Sequence, residues 1–107
     1  MTIQNISVQS LNETMNDHHP DFLLIDVREV DEWQAGHIQK AIHIPLASLE
    51  SLIHQTATSL DQPIFLQCKS GGRSMQAAQK LQRLGYTKLF NVDGGILAWS
   101  QAGYPTI

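Results

Sequence analysis

Residues 63–86 read PIFLQCKSGGRSMQAAQKLQRLGY. The opening PIFLQ, 63 to 67, is apolar without alternation, as in a strand covered on both faces. A loop follows, with two glycines, Gly71 and Gly72, and two cations, Lys69 and Arg73. Then Met75, Ala77, Ala78, Leu81 and Leu84 recur at helical spacing over 73–84, and Gly85 stops that helix. Buried strand, glycine loop and amphipathic helix form the unit from which parallel α/β sheets are built. In such sheets ligands bind beyond the carboxyl ends of the strands. Cys68, the only cysteine of the chain, stands at such an end.

The same alternation extends both ways. Ser7 is a fitting cap for a helix over 8–16, with Val8, Leu11 and Met15 on one face. His18-His19-Pro20-Asp21 reads as a turn. FLLIDV, 22 to 27, predicts a second buried strand. EVDEWQAG, 29 to 36, predicts a turn or two of helix, with acids in its first turn, Val30 and Trp33 pointing one way, and Gly36 ending it. AIHI, 41 to 44, is a weak strand before Pro45. Ser48 is a candidate cap for a helix carrying Leu49, Leu52, Ile53, Ala57 and Leu60. KLFNV, 88 to 92, is the last strand, and GGILAWSQAG, 94 to 103, the last helix, with Trp99 buried. The pattern thus predicts an α/β fold: a parallel sheet of short apolar strands with helices on both faces.

The 107 residues suggest one domain, 1–107, large enough for a core. A formal charge of −3 excludes a partner held by a broad positive field, so neither nucleic acid nor an acidic membrane surface is expected. One cysteine makes no internal disulfide, which favours a reducing compartment, and a cytoplasmic location is expected. MTIQNISVQSLNE, 1 to 13, lacks the basic and apolar regions of a secretory signal. No apolar run approaches the ~20 residues of a membrane helix.

A thiol reacts as its thiolate, and a free cysteine titrates near ~8.5. Three features around Cys68 are expected to lower that value. The helix that starts near Arg73 turns its free N–H groups and positive end toward the loop. Gly71 and Gly72 permit backbone angles that gather N–H groups into an anion-binding nest. Lys69 and Arg73 add positive charge. The sulfur then sits in an anion cradle that needs no neighbouring histidine. The competing reading is an inert cysteine buried at a strand end, beside ordinary turn glycines.

Four segments together resemble the rhodanese family of sulfurtransferases. They are LIDVREVDEWQAGHIQKAIHIPL (24–46), CKSGGRS (68–74), LQRLGY (81–86) and VDGGILAWSQAGYP (92–105), in this order and spacing. The resemblance spans 6–105 and implies a rhodanese-like domain with a five-stranded parallel sheet. It also implies a double displacement, in which Cys68 takes the outer sulfur of a small anionic donor such as thiosulfate as a persulfide. An acceptor, whether cyanide, another thiol or a protein, then removes it. Splitting the transfer this way is nucleophilic catalysis, and no cofactor is called for. Lys69, Ser70, Gly71, Gly72, Arg73 and Ser74 form the substrate-binding loop. Arg73 is assigned to the donor's anionic group, with pairing to a nearby acid as its alternative. Ser74 either contacts the loop or serves as a cap or solvated residue. Asp26 and Arg28, of the D-V-R signature, are read as structural support. At Lys40 many relatives carry glycine, which concerns a turn. Ser70 stands where some thiosulfate-specific relatives have a cation, which leaves the donor open.

Other candidates carry less. His18 and His19 are adjacent in a turn, His37 belongs to the G-H-I segment with a packing or hydrogen-bonding role, and His43 and His54 are isolated. No metal site is expected, because zinc needs three or four convergent ligands. Trp33 and Trp99 read as core residues. Asp26 and Glu32 resemble a general acid–base pair, but sulfur transfer needs none, and exposed charge is the default for such residues. A free-standing, monomeric sulfurtransferase is the favoured reading. The alternatives are a persulfide carrier for a protein partner, a cysteine phosphatase or arsenate reductase on the same fold, and a non-enzymatic interaction module. Cys68 argues against the module. The phosphatase pattern places one more residue between cysteine and arginine than the four found here.

Overall fold

The computed structural model describes residues 3–17 and 21–107. In chain order the elements are β1 (Gln4–Ile6), α1 (Val8–Asn16), β2 (Leu23–Asp26), α2 (Val30–Ala35), β3 (Ile42–His43), a 3₁₀ turn (Leu46–Ser48), α3 (Leu49–Thr56), β4 (Ile64–Gln67), α4 (Gly72–Arg83), β5 (Leu89–Val92) and α5 (Gly95–Gln101). One sheet holds all five strands in the order β1-β5-β4-β2-β3, and every pairing is parallel. The expected helix-covered parallel sheet is therefore the fold.

Two apolar layers sandwich the sheet. Leu49 and Ile53 of α3 and Ala77, Ala78 and Leu81 of α4 pack on one face, against Ile25, Ile64, Leu66, Cys68 and Leu89. Val8 and Leu11 of α1 and Trp99 of α5 pack on the other, against Leu24, Phe65 and Val92. The alternation of Ile64, Phe65 and Leu66 follows from the two-residue period of a strand, and it sends Cys68 to the α4 side. Each fully buried Leu or Ile contributes about 1.5–3 kcal/mol. No helix among the described residues is long and apolar enough to cross a membrane.

Local signals held at several ends. Ser7 caps α1 by accepting the Ser10 N–H at 3.0 Å. Gly85, at φ +102°, follows α4. Trp99 is buried and donates its indole N–H to the Pro105 carbonyl at 2.8 Å. The turn assigned to His18, His19 and Pro20 lies outside the described residues.

Elsewhere packing overrode the pattern. Strand β1 is absent from the periodicity reading, because two of its three residues are exposed and only its pairing with β5 makes it a strand. Ser48 does not cap α3 through its side chain. The 3₁₀ turn runs straight into that helix, so the Ser48 backbone is already helical, at φ −103° and ψ −1°. Helix α2 buries no residue, and Val30 is 55 % exposed. Trp33 is half-buried rather than core, and its ring stacks with those of His37 and His43, with centroids 3.6 and 4.9 Å away. His43 and His54 are not isolated. His43 Nε2 lies 2.8 Å from the Arg28 carbonyl, and His54 Nδ1 lies 3.1 Å from the Tyr86 hydroxyl. Asp26 is not exposed charge but fully buried.

Candidate active site

The sulfur emerges from the end of β4 against the first turn of α4. Cys68 is 1 % exposed. Its Sγ accepts the Gly71 N–H at 3.0 Å and lies 3.4 Å from the Ser74 hydroxyl. Burial pushes a thiol's pKa up, because the charged form loses its water. The Ser74 hydroxyl and the backbone N–H groups of Ser74, Gly71 and Ser70 oppose that burial and prevail, so the Cys68 thiol is held below its ordinary value.

Two parts of the cradle differ from the sequence expectation. The first concerns the cations. The groups that lower the thiol most are hydrogen-bond donors; the Lys69 side chain is exposed, and the Arg73 guanidinium, which does interact electrostatically with Cys68, makes its hydrogen bonds to Glu32. Its two terminal nitrogens meet the two carboxylate oxygens of Glu32 at 2.6 and 2.9 Å. Glu32 is held down at about 2 by that hydrogen-bonded guanidinium, and Arg73 is raised in return. Of the two roles open to Arg73, this geometry shows the ion pair. The second concerns the glycines. Gly71 sits at φ +111°, which favours glycine, but Gly72 begins α4 with an ordinary backbone and open space where a Cβ would stand. One glycine makes the nest; the other is the first residue of the helix. Ser74 is neither solvated nor a cap: it is fully buried under the sulfur.

The back of the loop is fixed by α5. The Cys68 carbonyl accepts the Ile96 N–H at 2.9 Å, and the Lys69 carbonyl accepts the Leu97 N–H at 3.1 Å. Gly95 permits this approach, since a Cβ there would lie 2.4 Å from the Cys68 carbonyl oxygen. With these carbonyls committed to α5, the N–H side of the loop is left for the sulfur.

The D-V-R residues brace the other wall. Asp26 accepts from Arg28 Nε at 3.1 Å and from a terminal guanidinium nitrogen at 2.9 Å, both residues being buried. The remaining donors of Arg28 reach the carbonyls of Glu32 and Gly36 at 3.2 and 2.7 Å. Arg28 thus ties β2 to the middle and the C-cap of α2, the helix that presents Glu32 to Arg73. Lys40 occupies the left-handed region at φ +73°, a conformation that glycine adopts without strain.

Sequence reasoning missed four residues here: Glu32 as the partner of Arg73, Gly95 as the support of the loop, and Asn91 with Asn5 beside Ser74. Asn91 had a readable signal, for an asparagine inside the apolar strand LFNV is out of place unless it is bonded. Among the described residues no three His, Cys, Asp or Glu side chains converge as metal ligands.

Comparison with known proteins agrees with this fold. The family model described as "Rhodanese-like domain" matches residues 7–102. The chain is 32 % identical over 105 residues to a sulfurtransferase of Allochromatium vinosum, covering 98 % of this chain and 95 % of that protein. It is 42 % identical over 76 residues to the uncharacterized protein YqhL of Bacillus subtilis, covering 71 % of this chain and only 59 % of that relative. Among solved structures, a rhodanese-related protein from Thermoplasma volcanium superposes with a TM-score of 0.80 at 30 % identity, covering 97 % of each chain. The chain therefore belongs to the rhodanese-like domain family.

Proposed function

We propose that the protein is a sulfurtransferase that carries sulfur as a persulfide on Cys68. The observation that carries this reading is a single, depressed thiol ringed by N–H and O–H donors at the carboxyl end of a parallel strand. The name of the Allochromatium vinosum relative supports the same class of reaction.

The Cys68 thiolate attacks the outer sulfur of a small anionic donor, of which thiosulfate is the simplest. A Cys68 S–S bond forms, the S–S bond of the donor breaks, and sulfite leaves with the electron pair. Cyanide, a small thiolate or a thiol of a protein partner then attacks the outer sulfur of the persulfide and releases Cys68 as thiolate again. The donors that stabilise the thiolate also hold the persulfide, and they are pre-aligned for charge that develops in between.

The four residues between Cys68 and Arg73 favour this chemistry over phosphate transfer. A phosphoryl group in flight has three equatorial oxygens that all need donors, whereas a persulfide adds one atom. The short loop draws its N–H groups onto the sulfur itself.

Intact mass after incubation with thiosulfate tests the proposal. One added sulfur atom is expected on the protein and none on Cys68→Ser. Turnover of thiosulfate with cyanide should far exceed that of an aryl phosphate. Absence of the added mass, together with Cys68-dependent phosphatase activity, would overturn it.

A further inference from the structure

The Ser74 hydroxyl has one proton and too many acceptors. Its oxygen lies 3.4 Å from Cys68 Sγ, 3.1 Å from the Gly71 carbonyl, and in a short contact with Asn91 Oδ1. The Gly71 carbonyl is already supplied by the Met75 N–H at 3.1 Å. The sulfur and Asn91 therefore compete for the proton. Asn91 is itself linked outward, with its Nδ2 donating to Asn5 Oδ1 at 3.0 Å. This alignment comes from strand register, for Asn5 and Asn91 are direct partners in the β1–β5 ladder. Asn91 and Ser74 are buried, while Asn5 is exposed.

We propose that Asn5 and Asn91 form a hydrogen-bond relay that sets whether the Ser74 hydroxyl points toward or away from the Cys68 sulfur, which makes Asn91 a positioning residue. The relay has two polarities. In one, Asn91 donates to Asn5, Ser74 donates to Asn91, and the Ser74 lone pairs face the sulfur, which suits a thiol that donates S–H. In the other, both amides are turned. Asn5 then donates to Asn91, Asn91 donates to Ser74, and the Ser74 O–H points at the thiolate, a charge-assisted bond. The two ends of an amide have nearly the same shape, so the turn needs no displacement of the backbone. No bond to hydrogen breaks within the relay, since each proton rotates with the group that carries it. Because Asn5 is exposed, water can satisfy whichever end it turns outward. A change of charge on the buried sulfur is thus met by a reorientation that ends at the surface.

The inference rests on Cys68 being the reacting sulfur, but its test needs no sulfur donor. The probe is the thiolate absorbance of the single cysteine followed against pH, with Cys68→Ser as blank. Asn5→Asp places an acceptor-only group at the outer end and holds the first polarity. Because Asn5 is exposed on an edge strand, the substitution leaves the core untouched. It should raise the titration midpoint, with about three- to tenfold less thiolate at a pH below it. The same substitution in a Ser74→Ala background should leave that background's midpoint unmoved, because the relay then has no last member. A shift that persists without Ser74 is simple charge repulsion and overturns the relay, as does the absence of any shift. If the relay titrates as expected and thiosulfate leaves no added sulfur, the functional proposal fails alone.

Discussion

A buried sulfur anion survives only where donors replace its lost water. Around Cys68 burial works against the thiolate, and the Ser74 hydroxyl and three backbone N–H groups outweigh it. Alkylation by a small reagent should therefore show a midpoint below the ~8.5 of a free cysteine. Hydrogen bonds to charged groups contribute ~1.5–3 kcal/mol, so Ser74→Ala should cut the thiolate fraction below the midpoint by roughly tenfold or more. A midpoint that ignores Ser74 would remove that residue from the cradle. Arg73 makes a different prediction. Its fork is filled by Glu32, so an anionic donor must compete with a carboxylate for it. Glu32→Gln keeps the shape and removes the competing charge. It should raise kcat/KM for thiosulfate by several-fold, whereas Arg73→Ala should lower it by about 30-fold, or ~2 kcal/mol. Steady-state assays of both variants separate a donor-binding Arg73 from a merely structural one.

Between strand and helix, neighbouring glycines carry unequal weight. Gly71 bends into the left-handed region to aim its N–H at the sulfur, and a side chain there is disfavoured by roughly 1–2 kcal/mol. Gly72 opens α4 in an ordinary conformation with free space around it. Gly72→Ala should thus leave activity intact and stabilise the fold by about 0.4–1 kcal/mol, largely by restricting the unfolded chain. Gly71→Ala should destabilise and raise the thiol midpoint. Denaturant titration of the two variants reads the difference directly, and equal losses would contradict the assignment of the nest to Gly71. Both residues belong to CKSGGRS, where sequence alone treats them alike; only the backbone angles tell them apart.

Across the whole molecule, the Glu32–Arg73 pair joins α2 to α4 over 41 positions of sequence. Arg28 fixes the position of α2 from β2, so the pair closes a brace from Asp26 to the active-site loop. Glu32 titrates at about 2 in the fold against an ordinary 4.5. A depressed carboxylate contributes stability that is fully present above the unfolded value and is lost as pH falls through the folded one. The wild-type protein should therefore lose this contribution between about pH 4.5 and 2. Glu32→Gln should be less stable at neutral pH and flatter across that window, as measured by thermal unfolding at a series of pH values. A parallel decline in both proteins would place the acid sensitivity elsewhere.

Local signals along the chain are enough to assign the layered α/β fold and the place of the sulfur. Apolar runs at 22–27 and 63–67, helical periodicity at 73–84 and the stop at Gly85 are local signals, and each is set by the chain's own period and backbone freedom. The single cysteine beside a glycine loop followed from the same local reading. Tertiary structure alone decided what depends on residues distant in sequence. Edge pairing made Gln4–Ile6 a strand and put Asn5 beside Asn91, which no three-residue pattern announces. Packing of α5 under the loop gave Gly95 its role, through a close approach that periodicity cannot register. The placement of α2 turned Arg73 from a free cation into the partner of Glu32. A charged group's role is set by whichever opposite charge the fold brings near it, and that proximity is not written at any one position of the chain.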